Sequence, residues 1–307
     1  MRLGDLEARR RWNGLSPTLR GVLWILFACV AFSGMGVSVR YLTRFLPPQE
    51  LIFFRNALSL IWMLPWIFRS GFTALRTTHF RMYLGRSALA FVSMLCWFTA
   101  LVTLPLAEAI ALGFTAPLFS TVLAVLILGE VVRRRRWTAT IIGFLGAMVI
   151  LRPGIEEVTF AHFLVLASSA TGAITSVVVK QLTRTEHPNT IVTYMTLLTT
   201  PFALLIALPV WQWPEAMTWF WLLVLGLLAT LGHQASTRAF LYLDASLVAS
   251  LDFIRLPTAA LLAWIVFTEV PDIWTWIGGA IIAASSVYIA RREAQLARER
   301  QHAVPKT

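Results

Sequence analysis

Apolar runs long enough to cross a bilayer follow one another from residue 21 to residue 291, with only short polar breaks between them. A hydrocarbon core about 30 Å thick calls for about 20 helical residues per crossing. The runs read as spans at 21–41, 50–68, 82–103, 107–129, 137–152, 158–180, 190–211, 217–242, 246–268 and 272–291. Lipid gives a backbone no hydrogen-bond partner, so an open chain crosses it only as helices. The expected fold is all-α, a polytopic membrane protein of ten transmembrane helices with polar tails at 1–20 and 292–307. Composition agrees: 58% of the 307 residues are hydrophobic and 13% are charged, where a soluble domain carries about a quarter charged. No stretch is left over for a soluble domain.

The formal net charge of +11 would point to nucleic acid on a soluble protein. Here topology accounts for it. With the N-terminus inside, the inner segments hold 19 Lys and Arg and the outer loops hold two, Arg44 and Arg152. Such a split is a strong positive-inside signal. Both termini are expected in the cytoplasm, the membrane is expected to be a bacterial inner (plasma) membrane, and nucleic acid is not a partner. Cys29 and Cys96 lie in apolar runs with no disulfide or metal spacing, so they read as packing residues. The first apolar run is too long for a signal peptide core.

The chain also repeats itself. Residues 37–44 read VSVRYLTR and residues 177–184 read VVVKQLTR, 140 residues on. Residues 109–130 read AIALGFTAPLFSTVLAVLILGE and residues 246–269 read SLVASLDFIRLPTAALLAWIVFTE, with Pro117 and Pro257 again 140 apart and Glu130 and Glu269 139 apart. Each Glu is followed by Trp-Thr and a glycine-containing span. The spans therefore divide into two sets of five, over 21–155 and 156–291. Five is odd, so the second set inserts upside down relative to the first. The charges agree: RRRR follows Glu130 on the inner side, and VPD follows Glu269 on the outer side. Inverted repeats with a site near the midplane are a signature of secondary transporters.

The doubled Pro-to-Glu span, each followed by a glycine-rich span, resembles the EamA family of the drug/metabolite transporter (DMT) superfamily. FFRN at 53–56 and PLAEAIALGFTAPLF at 105–119 resemble it too. The resemblance covers about residues 20–291. It implies ten helices around a central cavity lined by helices 1–4 and 6–9, with helices 5 and 10 peripheral. It implies no single solute: members export amino acids, related metabolites and metal-chelating metabolites, or take up S-adenosylmethionine or riboflavin.

Ionisable groups within a membrane cost about 2.5–3.5 kcal/mol each on insertion scales and face a cavity or a partner. Asp252 and Arg255, three apart, share a face of the ninth span. Arg238 on the eighth span falls at a similar depth. The three read either as a buried Arg–Asp–Arg cluster or as a solute site with a local excess of one positive charge. Arg55 in FFRN reads as a cavity residue or a snorkelling one, while Asn56 beside it points to another helix. Arg86, near the start of the third span, reads as snorkelling to the cytoplasmic face. Glu108 opens the fourth span, where a carboxylate favours the helix dipole; a proton-coupling role is the alternative. His233 and Gln234 sit deep in the eighth span, the histidine as a helix–helix hydrogen-bonder or a proton acceptor. Trp97, Phe114 and Phe53 offer faces for a flat solute. Arg40 lies at the outer mouth against the charge rule, as a gate for an anionic group or a headgroup anchor. Pro117 and Pro257 are expected to kink their helices mid-span and to serve as hinges.

No HExxH, GxSxG, P-loop or CxxC pattern occurs, and the five histidines are scattered. No nucleophile–base set or metal set can be assembled, so an intramembrane enzyme is the weaker alternative, as is a channel. The expected function is secondary transport of a small polar organic metabolite, anionic or zwitterionic, amino-acid-like or nucleoside/flavin-like. No cofactor and no metal are expected; the partners are the solute and membrane lipid. A proton or counter-solute as coupling partner and a homodimeric state stay open. Export is favoured over uptake on the family's composition alone.

Overall fold

The computed structural model describes residues 15–71, 76–116, 118–119, 122, 134–152, 157–243, 248 and 251–303. All the regular structure among them is helical. The helices are α1 (Pro17–Leu42), α2 (Pro48–Ser70), α3 (Phe80–Ala100), α4 (Leu106–Gly113), α5 (Arg134–Leu151), α6 (Phe160–Leu182), α7 (Pro188–Ala207), α8 (Ala216–Tyr242), α9 (Arg255–Phe267) and α10 (Ile273–Ala303). Six of them (α1, α2, α3, α6, α7 and α8) are long and apolar enough to cross a membrane, and α5, α9 and α10 contain shorter apolar helices. The tenth helix continues to Ala303, beyond the expected end at 291.

Local chemistry sets the helix starts. Proline stands in the first turn of α1, α2 and α7, where its missing N–H is an orphan in any case. Ser16 caps α1 by accepting the Leu19 N–H at 3.2 Å. The two matched octapeptides close α1 and α6 with the same backbone turn. Thr43, Arg44 and Phe45 donate to Val39, Tyr41 and Leu42 at 2.9, 3.3 and 2.9 Å. Thr183, Arg184 and Thr185 donate to Val179, Gln181 and Leu182 at 3.0, 3.2 and 3.2 Å.

The helices pair across the sequence rather than along it. The principal partners are α1 with α8, α3 with α6, α2 with α7 and α5 with α10. Further packing joins α2 to α8 and α3 to α7, and α1 to α9 and α4 to α6. Exchanging each of α1–α5 with its counterpart in α6–α10 maps all of these pairings onto one another.

Close approach relies on small residues, as membrane helix packing does. A Cβ on Gly278 would lie 2.5 Å from the Gly146 carbonyl oxygen, and a Cβ on Gly146 3.0 Å from that of Gly278. The α5–α10 seam is thus backbone against backbone. Polarity is inside out. Phe27, Ile61, Phe163, Leu205 and Ile265 are exposed, whereas Ser33, Glu50, Arg55, Asn56, Arg86 and Ser87 are buried. An apolar exterior over polar packing is what lipid demands, and the chain is a multi-pass membrane protein.

The fourth and ninth helices are discontinuous. The fourth stops at Gly113, and Phe114 and Thr115 form a tight turn in which the Thr115 N–H donates to Leu112 at 3.0 Å before the helix resumes. The ninth is interrupted at Phe253 and Ile254, the Ile254 N–H donating to Leu251 at 3.1 Å. Pro257 therefore does not kink a helix mid-span. It lies in the first turn of α9, just past the break, where no helical hydrogen bond is lost. Pro117 and Glu130 lie outside the described residues.

Candidate functional site

The two breaks meet. The rings of Phe114 and Phe253 lie 4.3 Å apart between centroids. Trp97 of α3 crosses Gly113, the last residue before the first break; a Cβ there would sit 3.3 Å from the indole. Polar side chains of α1 lie against the ninth-helix break. The Cys29 thiol lies 3.8 Å from the Leu251 carbonyl and 3.8 Å from the Asp252 carboxylate, and the Ser33 hydroxyl donates to the Arg255 carbonyl at 3.3 Å. Cys29, expected only to pack, thus faces the ninth-helix break.

Asp252 and Arg255 flank that break and form an ion pair. Arg255 also lies over the Phe32 ring, 5.2 Å from its centroid. Phe32 also meets His233, whose ring stands edge-to-face to it at 5.0 Å. Arg238 does not join them, so the expected three-membered cluster is not formed. Its guanidinium donates to Gln234 Oε1 and Asn189 Oδ1, each at 2.9 Å, and lies 5.2 Å from the centre of a Trp24 ring. Both partners are neutral amides. Helix rotation turns Arg238 towards α7. Gln234 is held on its other side by Met63, its Nε2 lying 2.8 Å from the Sδ.

Arg55 is 2% exposed and donates to Asn56 Oδ1 at 2.9 Å; Asn56 donates in turn to the Ile52 carbonyl at 2.7 Å. Arg86 does not snorkel. It is 7% exposed and lies close enough to Arg55 for their charges to repel. His233 is within electrostatic reach of Arg55, Arg86 and Arg255. Neither Arg55 nor Arg86 has a carboxylate partner among the described residues.

At the end the sequence assigns to the outside, Arg40 and Arg152 are paired with acids. Arg40 meets Glu269 at 2.6 Å and donates to the carbonyls of Leu101 and Leu104. It ties α1 to the end of α9 and to the turn between α3 and α4, which neither a free gate nor a headgroup anchor would do. Arg152 pairs with Asp272 at 2.8 Å. Glu108 meets His162 Nε2 at 3.0 Å, joining α4 to α6, while His162 Nδ1 accepts the Thr159 N–H at 3.0 Å. Glu50, fully buried, accepts the Gln212 N–H at 2.7 Å beside a nest of Phe53, Phe54, Trp211 and Trp219. Neither Glu50 nor the His162 contact stood out in the sequence, since both lie at span ends where a polar residue is unremarked. Among the described residues no three His, Cys, Asp or Glu side chains are grouped to hold a metal ion.

The EamA-like transporter family model matches the chain twice, over residues 19–152 and 159–291. A riboflavin transporter of Vibrio cholerae serotype O1 is 36% identical over 289 residues, covering 92% of this chain and 97% of the relative. An S-adenosylmethionine uptake transporter of Rickettsia felis is 29% identical over 94% of this chain and 98% of its own. A pseudopaline exporter of Pseudomonas aeruginosa is 30% identical over 88% of this chain and 96% of its own. A crystal structure 20% identical in sequence superposes with a TM-score of 0.61 over 90% of this chain and 98% of its own, a likeness of fold alone. Relatives of this kind place the chain among transporters and not enzymes. It is a member of the EamA-like transporter family.

Proposed function

We propose that the protein is a secondary transporter that carries a small polar organic metabolite across the bacterial inner membrane by alternating access. In this reading ten helices span the membrane as two inverted sets of five, α1–α5 and α6–α10, and both termini are cytoplasmic. The exchange symmetry of the helix pairings supports the two sets, and the 19-to-2 distribution of cations supports the orientation. The observation that carries the reading is the meeting of the two helix breaks, Phe114 against Phe253. Discontinuous helices facing each other at mid-depth free backbone groups and make a solute site without opening the bundle to lipid. Trp97, Phe114 and Phe253 give that site flat apolar faces; His233, Asp252 and Arg255 give it polar ones, with Gln234 and Arg238 farther along α8.

The two breaks serve as the hinges, in place of the prolines that follow them. The test is counterflow in liposomes containing the purified protein, with riboflavin, S-adenosylmethionine and amino acids as solutes. Accelerated exchange of one of these over protein-free vesicles is the expected result. Exchange of none, together with chemical conversion of a solute, would overturn the reading.

A further inference from the structure

Among the described residues, two buried arginines have no acid to answer them. Arg55 on α2 leaves its Nε without a hydrogen-bond partner, and Arg86 on α3 leaves its Nε and Nη1 without one. Both are more than nine-tenths buried. The hydroxyls of Tyr83 and Ser87 are buried and unpartnered as well. Tyr83, Arg86 and Ser87 stand three and four positions apart on α3, so they share one face. Tyr83 is held in place by stacking on Tyr194 at 4.6 Å, and it lies within electrostatic reach of Arg86. The result is a donor-rich face of α3 with Arg55 within electrostatic reach of Arg86, and with the Glu186 carboxylate within reach of Tyr83 alone among these four groups.

Such an arrangement is costly when empty. Each unpaired buried donor forfeits its water, and two guanidiniums repel across a low dielectric. Two cations that tie helix ends together, Arg40 and Arg152, each have a carboxylate instead. We propose that Arg55 and Arg86, with the hydroxyls of Tyr83 and Ser87, form a binding site for an oxyanion, carboxylate or phosphate, carried by the transported solute. This rests on the transporter reading and sharpens it to solutes with an acidic group. Guanidinium donors match such a group in geometry as well as charge.

The test uses the full-length protein in detergent, with inorganic phosphate and acetate as probes against chloride at equal ionic strength. The expected result is a rise of roughly 5 °C in the unfolding midpoint with at least one probe near saturation. The rise disappears in Arg55→Gln and Arg86→Gln. Where those variants do not fold, Tyr83→Phe and Ser87→Ala delete donors without touching charge and are expected to shrink the rise. No rise in the wild type, or the same rise in the variants that fold, overturns the site. Counterflow of the same preparations separates the two ideas. Transport with no arginine-dependent shift sinks the oxyanion site and leaves the transporter; a shift with no transport of any solute does the reverse.

Discussion

The end of the bundle that the sequence assigns to the outside and its interior use the same residue types to opposite ends. At the first, Arg40 and Arg152 each face a carboxylate, and Glu108 faces His162. In the interior Arg55 and Arg86 lie within electrostatic reach of each other and have no carboxylate partner among the described residues. A paired charge fixes helix ends together, and its net contribution is modest once desolvation is subtracted. An unpaired one is a standing expense that only a partner from outside the chain relieves. On the proposed reading, the contrast separates charges that hold the fold from charges that wait for a solute.

The comparison breaks most sharply at the interior arginines. Replacing either Arg55 or Arg86 by Gln is expected to cut solute affinity roughly tenfold to hundredfold, at about 1.5–3 kcal/mol per charged hydrogen bond, with thermal stability unchanged or higher. Loss of stability in parallel with transport would make these arginines structural. Next comes Asp252→Asn, which strands Arg255 at the ninth-helix break. The pair is partly exposed, so a loss of about 1–3 kcal/mol in a detergent unfolding assay is expected. Adding Arg255→Gln should recover most of it, whereas adding Arg238→Gln should not, because Arg238 is bound elsewhere.

A double-mutant cycle on Arg40 and Glu269 should give a coupling of about 1 kcal/mol in stability. Arg40→Gln alone should cost more than Glu269→Gln, because it also strands the Leu101 and Leu104 carbonyls. The smallest effect belongs to Pro257→Ala. Because the proline stands in a first helical turn, the change should move stability by no more than about 1 kcal/mol and leave counterflow nearly intact. A large transport defect would restore the proline as the hinge.

Much of this was legible in the residues. Apolar run length gave α1, α2, α3, α5, α6, α7 and α8 to within a few residues, and the paired octapeptides foretold two matching helix ends. What escaped was rotation about the helix axes. Nothing in the spacing of Arg86 says that its side chain turns inward to Arg55 and not outward to the headgroups. An expected depth for Arg238 does not fix which neighbour it meets. The helix breaks were also hidden. A proline signals an interruption without saying on which side of it the hydrogen bonds fail, and here they fail three to four residues before Pro257.

The cross-sequence pairing has a consequence for how the molecule is made. The principal partners of α1, α2, α3 and α5 are α8, α7, α6 and α10. While the ribosome has delivered only the first five helices, their packing faces have little to pack on. Buried polar groups such as Arg55 and Arg86 then sit in the bilayer without the company of α6 to α8. Assembly must wait for the later helices, so the nascent first half is the stage at which a chaperone, a membrane protease or a stalled translocon would find this protein most vulnerable.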